Sequence, residues 1–145
     1  MWPIELIGVP WKCLMFANGA RPKARFTLWL QLQNRLLTTD RLLTWGIDVD
    51  QSCKLCQGQV ETRDHLFGHC PFTQNLWQRL LRWLMRPYHS VATWEDHLEW
   101  VISHTKGNSQ DAQILRLVYI EYVHTVWIER NQQTFENKSR LADDS

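Results

Sequence analysis

The sequence predicts a mainly α-helical domain that carries a cysteine- and histidine-rich loop. Three observations lead there. Apolar residues recur at three- and four-residue intervals over most of the chain, no stretch alternates like a half-buried strand, and three cysteines and two histidines fall within residues 53–70. With 145 residues, 44% of them hydrophobic, the chain can bury one ordinary core. No internal repeat is visible.

Residues 1–20, with Pro3, Pro10 and Gly19, read as irregular. Pro22 suits the first position of a helix, and Phe26, Trp29, Leu30, Leu36 and Leu37 continue at helical spacing, with Leu32 or Gln33 between. Thr38-Thr39-Asp40 is a break and a cap, followed by a short helix from Arg41 to Trp45 that stops at Gly46. Residues 47–62 are polar and leave room for one short β-hairpin. Thr62 or Asp64 can cap a short segment through His65, Leu66 and Phe67. A second long helix is expected over about Pro71–Met85, with Leu76, Trp77, Leu80, Leu81 and Leu84 as its apolar stripe and Pro87 as its stop. A third spans about Trp94–His104 and buries Trp94, Leu98, Val101 and Ile102. A last helix, about Asp111–Phe135, is apolar around much of its circumference and should lie centrally. The chain after Asn137 is polar.

The loop is the chemically specific part. Cys53, Cys56, His65 and Cys70 are spaced C-x2-C-x8-H-x4-C. Three thiolates and a neutral imidazole are donors suited to tetrahedral Zn²⁺, with Zn–S near about 2.3 Å and Zn–N near about 2.0 Å. Disulfides fit less well, since Cys13 lies far upstream. A redox C-x-x-C normally opens a helix, and this one sits in a polar loop. Four good ligands close the coordination sphere, so the site reads as structural and not catalytic. His69 competes with His65 as nitrogen donor. His65 is preferred, because adjacent residues such as His69 and Cys70 point apart, while a four-residue gap lets the chain fold back. Pro71 then starts a helix whose macrodipole favours a thiolate at Cys70.

Charge narrows the function. The formal net charge is +1, and three thiolates with one Zn²⁺ bring it to about zero, which disfavours coating nucleic acid by global charge. The distribution is uneven. Between Lys12 and Trp45 stand Lys12, Arg21, Lys23, Arg25, Arg35 and Arg41 against the single acid Asp40, whereas acids exceed bases from Glu95 onward. Lys23, Arg25, Arg35 and Arg41 are therefore the candidate phosphate contacts, and Phe67, Phe72 and Trp45 the candidate base stackers. A solvated helix face accounts for the same charges equally well. Apolar runs are too short for a membrane-spanning helix. Pro3, Glu5, Pro10 and Lys12 interrupt any secretory leader. Reduced cysteines suit the nucleus or cytoplasm.

The order of motifs resembles the zinc-binding domain that follows the reverse transcriptase in plant LINE-type (non-LTR) retrotransposon polyproteins. Trp11-Lys12 and the run Arg21 to Leu30 are close to its "P-K-V-x-F-x-x-W" helix, and Asn34 to Leu42 is similar to its "N-R-L-x-T-x-D-x-L" segment. Cys53-Lys54-Leu55-Cys56, Glu61-Thr62-Arg63-Asp64-His65-Leu66-Phe67, His69-Cys70-Pro71-Phe72 and Trp77 follow in order. Trp127-Ile128-Glu129-Arg130-Asn131 with Phe135 looks like the "W-x-x-R-N-x-x-x-F" segment that usually comes later. Ala24 replaces a common Val and Leu37 a common Pro. The resemblance implies the zinc ligands Cys53, Cys56, His65 and Cys70 and a role in handling RNA or target DNA beside a reverse transcriptase domain.

The expected organisation is a poorly ordered 1–10, a zinc-binding domain at 11–100, a helical extension at 101–137 packed on it, and a disordered tail at 138–145. Polymerase chemistry needs carboxylates that hold two metal ions, and the only adjacent aspartates are Asp143-Asp144. Glu61 and Asp64 read as cap residues and not as acid/base catalysts. A non-catalytic module is therefore expected; the alternatives are a protein-interaction or structural module, or a fragment with no present activity.

Overall fold

A computed structural model describes residues 11–15, 19–87 and 93–143, with side chains through Thr134. Its helices are α1 (Lys12–Met15), α2 (Pro22–Leu32), α3 (Thr39–Thr44), a π-helical turn (His65–His69), α4 (Pro71–Trp83), α5 (Trp94–Thr105) and α6 (Gln110–Asp143). Among the described residues the extended structure is one isolated antiparallel bridge, Ser52 to Val60. The hairpin for which the sequence left room is thus a single rung. The expected poorly ordered 1–10 lies outside the described residues.

Helix α6 is the axis of the molecule, as its apolar circumference predicts. Leu115, Tyr119, Ile120, Tyr122, Val123 and Val126 are buried along it. Helices α2 and α5 pack on it. The buried face of α2 differs from the predicted stripe. Ala24, Thr27, Leu28, Gln31 and Leu32 face inward, while Phe26 is 60% exposed. Small side chains let α2 approach α6 closely, and Thr27 Oγ1 meets His124 Nδ1 at 2.9 Å. Phe26 is left on the outside as a consequence. α1 lies in a region the sequence marks as irregular, yet Leu14 and Met15 are fully buried, and α1 packs against α5 and α2. α6 also continues to Asp143, beyond the tail expected from 138 onward. Lys138, Arg140, Leu141 and Ala142 are good helix formers, and cations near a helix C-terminus are favourable.

The C-terminal ends of α2, α3 and α4 follow one design. After α2, Asn34 takes a left-handed conformation (φ 56°); its N–H bonds the Gln31 carbonyl at 3.0 Å, and the Arg35 N–H bonds Leu30 at 2.7 Å. Gly46 (φ 80°) ends α3 with the same pair of bonds, to Leu43 and Leu42. Met85 (φ 59°) ends α4 with bonds from Met85 to Arg82 and from Arg86 to Leu81. These are Schellman caps, which satisfy the orphan carbonyls of a helix end. α4 therefore stops by its own cap four residues before Pro87.

Trp77 of α4 gathers the core. Its ring centre stands 4.9 Å from Tyr122, 5.5 Å from Tyr119, 6.0 Å from His97 and 6.2 Å, edge-on, from Trp100. Aromatic pairs at these separations add to plain area burial. Among the described residues, no helix is long and apolar enough to cross a membrane.

Candidate metal centre

The site begins with a tight turn. The Gln57 N–H bonds the Cys53 carbonyl at 2.9 Å, with Gln57 in a left-handed conformation (φ 57°), and this brings Cys53 and Cys56 to one side. Two bonds close the loop behind them, Cys53 N–H to Gln59 (2.7 Å) and Glu61 N–H to Gln51 (2.8 Å).

The second half is the π-helical turn. Its closing bond runs from the Cys70 N–H to the His65 carbonyl at 2.7 Å, joining the two ligand-bearing residues themselves. The four-residue gap between them is therefore the length of one π turn. Thr62 Oγ1 accepts the His65 N–H at 3.0 Å, the cap expected of it. The first turn of α4 anchors the other side: Thr73 Oγ1 donates to the carbonyls of Leu66 (2.7 Å) and Cys70 (3.1 Å), and Gln74 Nε2 to that of Gly68 (2.7 Å). A Cβ on Gly68 would stand 3.4 Å from the Trp94 Cα, so the turn lies close against the start of α5.

Together these elements bring the ligand atoms of Cys53, Cys56, His65 and Cys70 within 4.8 Å of one another. Cys53 Sγ and Cys70 Sγ are 3.9 Å apart, and Cys56 Sγ is 3.3 Å from His65 Nε2. A tetrahedron with zinc–ligand bond lengths has edges of about 3.5 to 3.8 Å. All four cysteines are free thiols. The set can hold a metal ion. His69 stands half-buried outside it.

The donors are prepared for metal. The N–H groups of Leu55 and Cys56 aim at the Cys53 sulfur, those of Phe72 and Thr73 at the Cys70 sulfur, and that of Gly58 at the Cys56 sulfur (3.5 Å). Backbone donors of this kind offset the negative charge of a thiolate. The Cys53 thiol donates to Cys70; that bond holds Cys70 below the usual thiol range and, with burial, pushes Cys53 well above it. One sulfur of the pair is thus already disposed to be anionic. Burial depresses the His65 pKa and so favours the neutral imidazole a metal requires.

Side chains next to the ligands lock the loop to the helices. Glu61 is fully buried, and its carboxylate accepts from Arg130 of α6 at 2.7, 3.1 and 3.2 Å and from the Thr39 N–H at 3.0 Å. It acts as a cap residue, on α3, where Thr38 makes no side-chain cap bond, and also forms a buried ion pair that nothing in the local sequence announces. Arg130 lies over the Trp127 ring at 4.8 Å. Arg63 Nη1 donates to the carbonyls of Gln31 (3.2 Å) and Leu32 (3.3 Å), the C-terminal end of α2, while its guanidinium lies 4.7 Å over Trp94 and its Nε pairs with Asp64 at 3.0 Å. Arg63 and Arg130 are the residues sequence reasoning missed. Arg130 stood in the W-x-x-R-N motif without an assigned partner.

Of the nominated surface residues, Lys23 and Arg35 are exposed, and Arg25 and Arg41 half-buried. Arg41 Nη1 donates to the Asn34 carbonyl at 2.7 Å. Among the stackers, Trp45 (59%) and Phe72 (46%) are exposed. Phe67 is only 2% exposed, which removes it as a stacker. It lies in the π turn on the side that faces the core.

A family model described as zinc-binding in reverse transcriptase matches residues 4–77, half of the chain. No curated protein and no solved structure matches it.

Proposed function

This chain belongs to the family of zinc-binding domains in reverse transcriptases, and we propose that it is a non-catalytic module that assists RNA or DNA binding, derived from a plant LINE-type polyprotein. The observation that carries this reading is the convergence of four soft and borderline donors on one point. Cys53, Cys56, His65 and Cys70 are the residues that would hold Zn²⁺, which supplies a crosslink between the 53–56 turn and the start of α4. Free thiols in all four cysteines suit a nuclear or cytoplasmic setting.

The chain's own residues then do the work. The loop sets Arg63 on the last carbonyls of α2 and Glu61 on the N-terminus of α3. Those two helices and the turn between them carry Lys23, Arg25, Arg35 and Arg41, whose charges suit phosphates. Four protein ligands leave no open coordination position, which supports a structural role.

The test combines metal content with binding of single-stranded RNA across a salt series. Stoichiometric zinc and an affinity that falls as salt rises, with a log–log slope of about −0.7 per phosphate contact, are expected. A slope of zero would remove the phosphate-contact reading. A second reading, docking onto a polymerase domain, is favoured by Met85 and Trp83, which are 91% and 76% exposed at the end of α4; a stable complex with that domain and no RNA shift selects it.

A further inference from the structure

Two large rings, one on α2 and one just past the end of α3, lie outside the core. Phe26 is 60% exposed and Trp45 59% exposed. Each makes contacts within a group of aromatic and guanidinium side chains. Phe26 stacks on Trp29 with ring centres 6.3 Å apart and planes 24° from parallel. The Arg35 guanidinium lies over the Trp29 ring at 5.8 Å. Its neighbour Asn34 gives its carbonyl to Arg41, and the Arg41 guanidinium lies 5.8 Å over the Trp45 ring. Two contact groups, Phe26–Trp29–Arg35 and Asn34–Arg41–Trp45, therefore meet at the adjacent residues Asn34 and Arg35 in the α2–α3 junction.

We infer that these two groups form a stacking track for single-stranded nucleic acid, with Phe26 and Trp45 taking the faces of bases and Arg35 and Arg41 meeting the phosphates between them. The inference rests on the proposed nucleic-acid role and names its ligand as a single strand. Unpaired bases stack on exposed aromatic faces, while a duplex keeps its faces covered. A guanidinium held flat on a ring is already ordered, so its remaining N–H donors meet a phosphate at a lower entropic cost. Local charge agrees: from Arg21 to Trp45 there are five cations and one acid, Asp40. Arg21 pairs with Glu121 at 2.8 Å. Leu37 and Ile47, exposed in the same stretch, are the features that suit a protein partner.

The experiment measures binding of a labelled oligouridylate, and of an RNA duplex of equal length, to the full chain loaded with zinc and to Phe26→Ala and Trp45→Ala. Both side chains are exposed, so circular dichroism and zinc content should match the parent. Each variant should lose about fivefold or more in affinity for the single strand, with the salt slope unchanged. Arg35→Gln should instead lower the slope by about one contact. Parent-like binding by both ring variants would overturn the track and leave the charge-based reading standing, and so would equal or tighter binding of the duplex. Absence of any RNA binding by the parent would overturn both.

Discussion

His97 lies 4% exposed between Trp77, Trp94 and Tyr119, with its Nε2 3.1 Å from the Tyr119 hydroxyl. Burial lowers its pKa from 6.5 to about 4, so the folded protein keeps it neutral where an unfolded chain would protonate it. The unfolded state therefore binds more protons between those two values. Its contribution to stability is fully present above pH 6.5 and is lost as pH falls toward 4, by something on the order of 3 kcal/mol. Denaturant titrations of the zinc-loaded protein over that range, beside His97→Gln, should show a flatter acid limb in the variant. Proton competition at the thiolates is common to both and cancels. Parallel limbs would mean that His97 is not the group responsible. Nothing near His97 in sequence marks it as buried: it falls between Asp96 and Leu98, and it becomes interior because Trp77 and Tyr119 arrive from two other helices. His65, by contrast, was legible over His69, because ligand spacing constrains it directly.

At the level of elements, the longer helices were readable from periodicity and the starts at Pro22 and Pro71 and the stop at Gly46 from residue type, whereas α1 and the left-handed ends at Asn34 and Met85 were not. What periodicity did not reveal was which face of α2 turns inward, since that depends on how closely small residues let α6 approach. The π turn was equally hidden, because its signature is a hydrogen bond and not a residue type. The pair Glu61–Arg130 was invisible for a third reason: its members lie 69 residues apart. Its side chains are 0% and 7% exposed. Removing one partner from a buried pair leaves an uncompensated charge, at a cost of about 3–5 kcal/mol. Arg130→Met should lower stability by about that amount in denaturant, and Glu61→Gln in the same chain should recover part of the loss. A cost below about 1 kcal/mol would show that Glu61 is neutralised or hydrated by other means.

Across the whole molecule, the sequence suggests a metal loop appended to a helical bundle, and the structure joins the two more closely. Cys53, Cys70, Leu66 and Phe67 belong to the same buried cluster as Leu28, Trp77 and Tyr119. Still, α2 and α5 pack on α6 through contacts that do not pass through the loop. Chelation should therefore release residues 51–70 and the first turn of α4 while most helical circular dichroism survives, with hydrogen exchange rising first in that segment. Loss of the entire helical signal would mean that the bundle has no stability of its own. The bond between Glu61 and Arg130 carries one further implication, for how this protein can be dissected. A polypeptide trimmed to 4–77 would retain the carboxylate and forfeit its cation, so it should be less stable than a version that runs past residue 130.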